Sequence, residues 1–280
     1  MLSNHKLWVV FLALFWAPAL YAEEPGNPVP PSQNSGGGEV TASSPEMVSI
    51  PAGEFIMGCN DSVDNACSYN EKQYHRVYLN AYSIDKYEVT VDEYAKCVKA
   101  RKCQEPNSSQ YCNWGKPDRG NHPVNCMDWG GADAYCQWAG KRLPTEAEWE
   151  KAARGTVRRV YPWGNEPATC DNAVMSLGGP GCGRNSTWPV GSKPNDISPY
   201  GVMDMAGNVW EWVQDWYSES YYRISPPNNP TGPVSGQWRV LRGGSWLNNS
   251  SHFLRTSERL WDLPGARNLN YGFRCSRPSK

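Results

Sequence analysis

The chain carries no useful excess of either charge. Its 280 residues hold 27 Lys and Arg against 28 Asp and Glu, and no basic run is long enough to track a phosphate backbone, so nucleic acid is not an expected partner. Histidine is scarce: beyond the first 22 residues only His75, His122 and His252 remain. None of the three has a second His at helical spacing, so each reads as a surface or hydrogen-bonded residue rather than as part of a His-rich metal cluster or a serine triad. No Cys-x-x-Cys pair occurs, which excludes zinc-ribbon and thioredoxin readings, since both need two sulfurs on one turn. Also missing are a Gly-x-Gly-x-x-Gly after a strand, a phosphate-cradling loop, His-Glu-x-x-His and Gly-x-Ser-x-Gly. Hydrophobic residues are only 39 %, yet there are 14 Trp, 15 Tyr, 26 Gly and 23 Pro, a composition that argues for a core of large rings joined by many turns. It argues against a helical bundle, and against disorder, because rings of that size bury enough area to offset chain entropy.

Residues 1–22 read as a secretory signal, with Lys6 as the charged start, an apolar stretch from Leu7 to Leu20, and Ala19-Leu20-Tyr21-Ala22 as a peptidase site. The stretch is shorter than the ~20 residues that span a bilayer, so no stable span is expected after processing. No Cys follows Ala22, which removes a lipid anchor there. Residues 23–45 are rich in Pro, Gly, Ser and Asn and read as a flexible linker, with a folded domain over 46–280. Ten Cys, at 59, 67, 97, 103, 112, 126, 136, 170, 182 and 275, suit disulfides in an exported protein, periplasmic or extracellular. Cys59 to Cys67, Cys97 to Cys103 and Cys170 to Cys182 are loops short enough to close locally; spacing alone leaves the rest open.

Met47 to Ile50 and Glu54 to Gly58 read as two short strands around a Pro51-Ala52-Gly53 turn, and Tyr82 to Val89 as an extended run. Thr90-Val91-Asp92-Glu93 has the capping-box spacing, so a helix should run from it to about Ala100 with Tyr94, Cys97 and Val98 inward. A second helix is expected from Trp129 to Ala139, with Ala132, Tyr135, Cys136 and Ala139 on one face. Thr145-Glu146-Ala147-Glu148 opens a third, ending near Arg154. Beyond Gly155 helical periodicity disappears, and the fold class reads as α+β, with helices mostly in the first half and irregular short strands in the second.

Three stretches are specific. Trp138-Ala139-Gly140-Lys141-Arg142-Leu143-Pro144-Thr145-Glu146-Ala147-Glu148-Trp149-Glu150, Gly207-Asn208-Val209-Trp210-Glu211-Trp212, and Arg242-Gly243-Gly244-Ser245-Trp246 with Gly272-Phe273-Arg274-Cys275 resemble the formylglycine-generating enzyme, or sulfatase-modifying factor, family. The resemblance also takes in Ile50-Pro51-Ala52-Gly53 and Tyr161-Pro162-Trp163-Gly164-Asn165, and covers about residues 46 to 280 in the family's order. It implies a single loop-rich α+β fold related to C-type lectins and a disulfide between Cys136 and Cys275. The family's second bridge has no match, since its first position falls near Ala153. Asp204 to Glu211 resembles the family's calcium loop, which implies the Asp204 and Glu211 carboxylates and the Gly207 and Val209 carbonyls as ligands, a hard oxygen set suited to Ca²⁺. A second family calcium site, near Asn172 and Ala173, lacks its later acids and is not carried over.

Family oxidases hold copper(I) between two Cys shortly after the Gly-Gly-Ser motif and use dioxygen to turn a substrate Cys into formylglycine. Soft thiolates select Cu(I), but here Leu247 to Phe253 follow the motif, and no Cys lies between Cys182 and Cys275, so copper is not expected. Ser245, Trp246 and Trp210 match positions that line the family's cleft, and Asn248, His252 and Arg255 stand where polar groups would face a ligand. Arg255 and Arg259 are four apart and could instead pair with acids such as Glu258 or Asp262. The leading expectation is an exported, calcium-stabilised family member that binds a protein or small-molecule partner in that cleft without copper chemistry. The alternatives are a formylglycine-generating oxidase, another oxidoreductase on the same fold, and a purely structural envelope protein.

Overall fold

In the computed structural model, residues 45–279 are described; the expected signal segment and nearly all of the expected linker lie outside them. The order of elements is β1 (Met47–Ile50), β2 (Gly53–Met57), β3 (His75–Leu79), β4 (Tyr82–Asp85), α1 (Val91–Lys99), α2 (Trp129–Trp138), α3 (Glu146–Arg154), β5 (Trp210–Trp216), β6 (Arg239–Arg242), β7 (Leu260–Asp262), β8 (Tyr271–Gly272) and β9 (Ser276–Pro278). This is the α+β class, with the three α-helices of the described residues all before Gly155.

Both strands around Pro51-Ala52-Gly53 form, but they do not pair with each other. β1 joins β4 and β9 in a three-stranded antiparallel sheet, while β2 pairs with β3 in a separate ribbon. The extended run from Tyr82 is a strand only to Asp85, and β3, which carries no turn signal of its own, supplies the partner for β2. The remaining sheet has the order β7-β6-β5-β8, with β8 parallel to β5.

The helix starts follow local chemistry. In α1 the Thr90 hydroxyl accepts from the Glu93 amide while the Glu93 carboxylate accepts from the Thr90 amide, and Thr145 and Glu148 do the same for α3. Asp128 caps α2 through the Gly131 amide at 2.8 Å. Every residue of α3 is buried, its acids included. That is tolerated because each acid has a cation: Glu146 binds Arg259, Glu150 binds Arg242 and Arg154, and Glu148 binds Arg142.

Aromatic rings fill the core as composition implied. Tyr94 of α1 stacks on Tyr135 of α2 with centroids 5.5 Å apart, and Phe273 meets Tyr135 edge-on at 5.5 Å. Five disulfides, Cys59–Cys67, Cys97–Cys103, Cys112–Cys126, Cys136–Cys275 and Cys170–Cys182, use all ten cysteines. Cys136–Cys275 spans 139 residues and ties α2 to the stretch just before β9, the closure that restrains the unfolded chain most. No helix among the described residues is long and apolar enough to cross a membrane.

Candidate functional site

The Gly-Gly-Ser-Trp motif leaves β6 and turns immediately. Gly244 adopts φ +78°, and a Cβ there would lie 2.8 Å from the Phe253 carbonyl, so the turn admits only glycine. Ser245 is fully buried; its amide and its hydroxyl both donate to Asn248 Oδ1, at 2.8 and 2.9 Å, and its Oγ accepts from Asn270 at 3.1 Å. Trp246 and Trp210 are buried as well, and the Trp246 indole donates to the Leu269 carbonyl. Ser245, Trp246 and Trp210 thus serve as support for a surface rather than as its open face. What reaches solvent around them is Tyr111, whose ring lies 6.1 Å from Trp246, together with Asn248 and the loop to Phe253. Two cavities of about 330 Å³ open elsewhere, one beside Tyr82, Arg142 and Glu148, the other beside Tyr94, Asp128 and Arg267.

Arg255 does not face an open site either. Its guanidinium makes a two-point pair with Glu71, both bonds 2.6 Å, reaches Asp64 at 2.9 Å and also binds Glu258. His252, half-buried, has Nε2 3.2 Å from Glu258 and 3.2 Å from Arg255. Glu71, His252 and Glu258 gather within 4.8 Å, but the guanidinium already stands among them, so the group is an ion-pair cluster. Arg259 pairs with Glu146, whereas Asp262 accepts from Tyr271 and Asn268.

The calcium-like loop is the third group. Asp204 and Asn208 hold the left-handed backbone that Asp and Asn tolerate best, at φ 57° and 56°. Gly207 has φ +95°, with the Val174 carbonyl only 2.5 Å from where a Cβ would stand. Glu211 is gripped by Arg274 through both oxygens at 2.7 Å, and by the Trp149 indole at 2.9 Å. Two acids that sequence reasoning missed join them: Glu88, which accepts from Asn208 and the Val209 amide, and Asp196, which accepts from the Ala206 amide. Both sit outside the motif, so only tertiary packing reveals them. Burial, and then the charge of Asp204, pushes Glu88 and Asp196 well above the usual carboxylate range, and burial lifts Asp204 to about 6.

These residues fit a hard cation. Of four buried carboxylates only Glu211 is paired with a guanidinium, Asp196 Oδ1 is buried with no hydrogen-bond partner, and Glu211 Oε1 accepts a single bond, leaving a lone pair. Asp204 and Glu211 would hold the ion with the Gly207 and Val209 carbonyls. Copper(I) is different: the family's site needs two thiolates, and every cysteine sulfur is in a disulfide, so the residues do not fit it.

Residues 33–278 match the model of the sulfatase-modifying factor enzyme 1-like domain. The chain belongs to this family. The formylglycine-generating enzyme of Streptomyces coelicolor is 34% identical over 306 residues, covering 91% of this chain and 93% of that protein. The serine/threonine-protein kinase pkn1 of Chlamydia caviae is 36% identical over 255 residues, covering 84% of this chain, which spans only 38% of that relative's length. Among solved structures, PvdO from Pseudomonas aeruginosa aligns with a TM-score of 0.72 at 30% identity, covering 84% of this chain and 95% of that one. The fold of the sulfatase-modifying factor family therefore holds for this chain.

Proposed function

We propose that the protein is an exported, calcium-stabilised member of the sulfatase-modifying factor family that does not carry out copper-dependent formylglycine formation and instead binds a protein or small-molecule partner. The observation that carries this reading is the complete pairing of the ten cysteines, together with a thiol-free stretch from Leu247 to Phe253 where family oxidases hold their metal. The five disulfides fit an oxidising compartment, which supports export. The acid excess around Arg274 supports calcium. A partner would meet Tyr111, Asn248 and the loop to Phe253, with Ser245 and Trp246 holding that surface from behind.

The test is mass spectrometry of a peptide carrying Cys-x-Pro-x-Arg, incubated with the mature protein, calcium, copper and air beside a copper-competent family enzyme. The expected outcome is no aldehyde here and full conversion in the parallel reaction. Conversion by this protein would overturn the reading and return the oxidase alternative, which requires one disulfide to open.

A further inference from the structure

Apart from His252 on the loop to Phe253, the Arg255 cluster has no part in that reading, yet its charges do not balance. Asp64 comes from the loop closed by Cys59–Cys67, Glu71 from the turn Tyr69–Glu71, and His252, Arg255, Ser257 and Glu258 from the segment that follows the Gly-Gly-Ser-Trp motif. Glu71 is enclosed while Glu258 and Asp64 keep slight contact with solvent, and together three carboxylates face one permanent cation. Arg242 stands nearby on β6, but its charge is taken by Glu146 and Glu150. The Tyr161 hydroxyl, close to Asp64 and Arg255, donates to the Ser251 carbonyl and brings no charge. A proton held between Glu258 Oε2 and His252 Nε2 reduces the deficit, and the two atoms are 3.2 Å apart.

We propose that this cluster is a proton-operated latch, fastening the segment Ser251–Glu258 to the disulfide loop Cys59–Cys67 and loosening when the proton leaves. The neighbours decide where the proton sits. Burial opposes ionisation of Glu71, but the Arg255 bonds and charge outweigh it and keep Glu71 ionised. Burial and then the adjacent Glu71 push Glu258 up to about 8, while burial and Arg255 lower His252 below 6.5. Closed, the cluster holds its proton on Glu258; open, Glu258 has an ordinary carboxyl near 4.5 and His252 an ordinary imidazole near 6.5. Below 6.5 the open form protonates His252 and the two proton counts match. Between about 6.5 and 8 the closed form holds one proton more, so closing weakens about tenfold per pH unit, about thirtyfold in all, as pH rises. The latch does not rest on the ligand-binding reading.

Amide hydrogen exchange of the full chain, corrected for intrinsic pH dependence, tests it. Protection at Cys59, Val63, Asp64, Arg255 and Glu258, whose amides are all bonded within or beside the cluster, should fall about thirtyfold between pH 6.5 and 8 and then level off. Glu258→Gln, which cannot lose a proton, should flatten that profile, and His252→Gln should extend the fall to lower pH. A flat wild-type profile, the same fall in Glu258→Gln, or an equal fall in every segment would overturn the latch. Should Glu258→Gln not fold, carboxyl-carbon resonance of Glu258 in the wild type decides: a midpoint near 8 supports the latch, and one in the ordinary carboxylate range sinks it.

Discussion

Two guanidinium groups, Arg255 and Arg274, each stand among several acids, but they settle the excess charge differently. Around Arg255 the acids Asp64 and Glu258 keep some contact with solvent, and a histidine lies within reach, so a single proton can enter and leave. Around Arg274 the carboxylates Glu88, Asp196, Asp204 and Glu211 are sealed from water, and one of their oxygens has no partner at all. Around Arg255 one proton is shared beside a histidine; around Arg274 burial itself raises the carboxyls, and the calcium proposed there would take the place of their protons. Similar composition therefore underlies two different proposals, a proton-operated latch around Arg255 and a calcium site around Arg274, and the depth of burial separates them.

The sharpest way to break that contrast is to remove each arginine. Arg274→Ala leaves Glu211 buried without its cation and should cost about 3–5 kcal/mol in denaturant unfolding. Arg255→Ala likewise strands Glu71, which is as enclosed as Glu211, and should cost a similar amount; a much smaller loss would mean that Asp64 and Glu258 admit water and let the Arg255 cluster relax. Calcium comes next. At about 100 times its dissociation constant it should add about 2.7 kcal/mol to stability, with a chelator reversing the gain. Asp204→Asn should weaken that response and Glu258→Gln should leave it alone; calorimetry would show either failure.

A smaller effect is expected from pH. Because the Glu258 carboxyl is raised on folding, its stabilising contribution is present at low pH and is lost as pH rises through about 8. With the opposing protonation of His252 counted, wild type should lose about 2 kcal/mol relative to Glu258→Gln between pH 6.5 and 8. Thermal melts across that window measure it, and parallel curves would contradict the Arg255 half of the comparison. Smallest of all is Glu54→Gln, which removes an exposed pair with Arg76 at 2.8 Å and should leave the melting curve unchanged.

Local chemistry made parts of the fold legible. The capping boxes at Thr90 and Thr145 act within three residues, and the loops Cys59 to Cys67, Cys97 to Cys103 and Cys170 to Cys182 close over short spans, so neither needs distant partners. Spacing left Cys112–Cys126 open among the remaining pairings, and the packed chain decided it. Strand pairing failed for the same reason: β1 finds β4 and β9, and nothing at the Pro51-Ala52-Gly53 turn signals either partner. At the candidate site, the motif marked Ser245, Trp246 and Asp204 but said nothing of Glu88 or Asp196, which arrive from other segments.

The α+β class, the family, the helix starts and the lack of a thiol pair after Ser245 depend only on residue identity or on contacts a few positions apart, so they can be read before any packing is known. Only the packed chain puts Ser245, Trp210 and Trp246 beneath the surface, binds Arg255 to acids from the chain's other half, and buries Glu88, Asp196 and Asp204 in the charge field of the Glu211–Arg274 pair. Burial and long-range charge are properties of the packed molecule, because the solvation of a side chain depends on every segment that covers it.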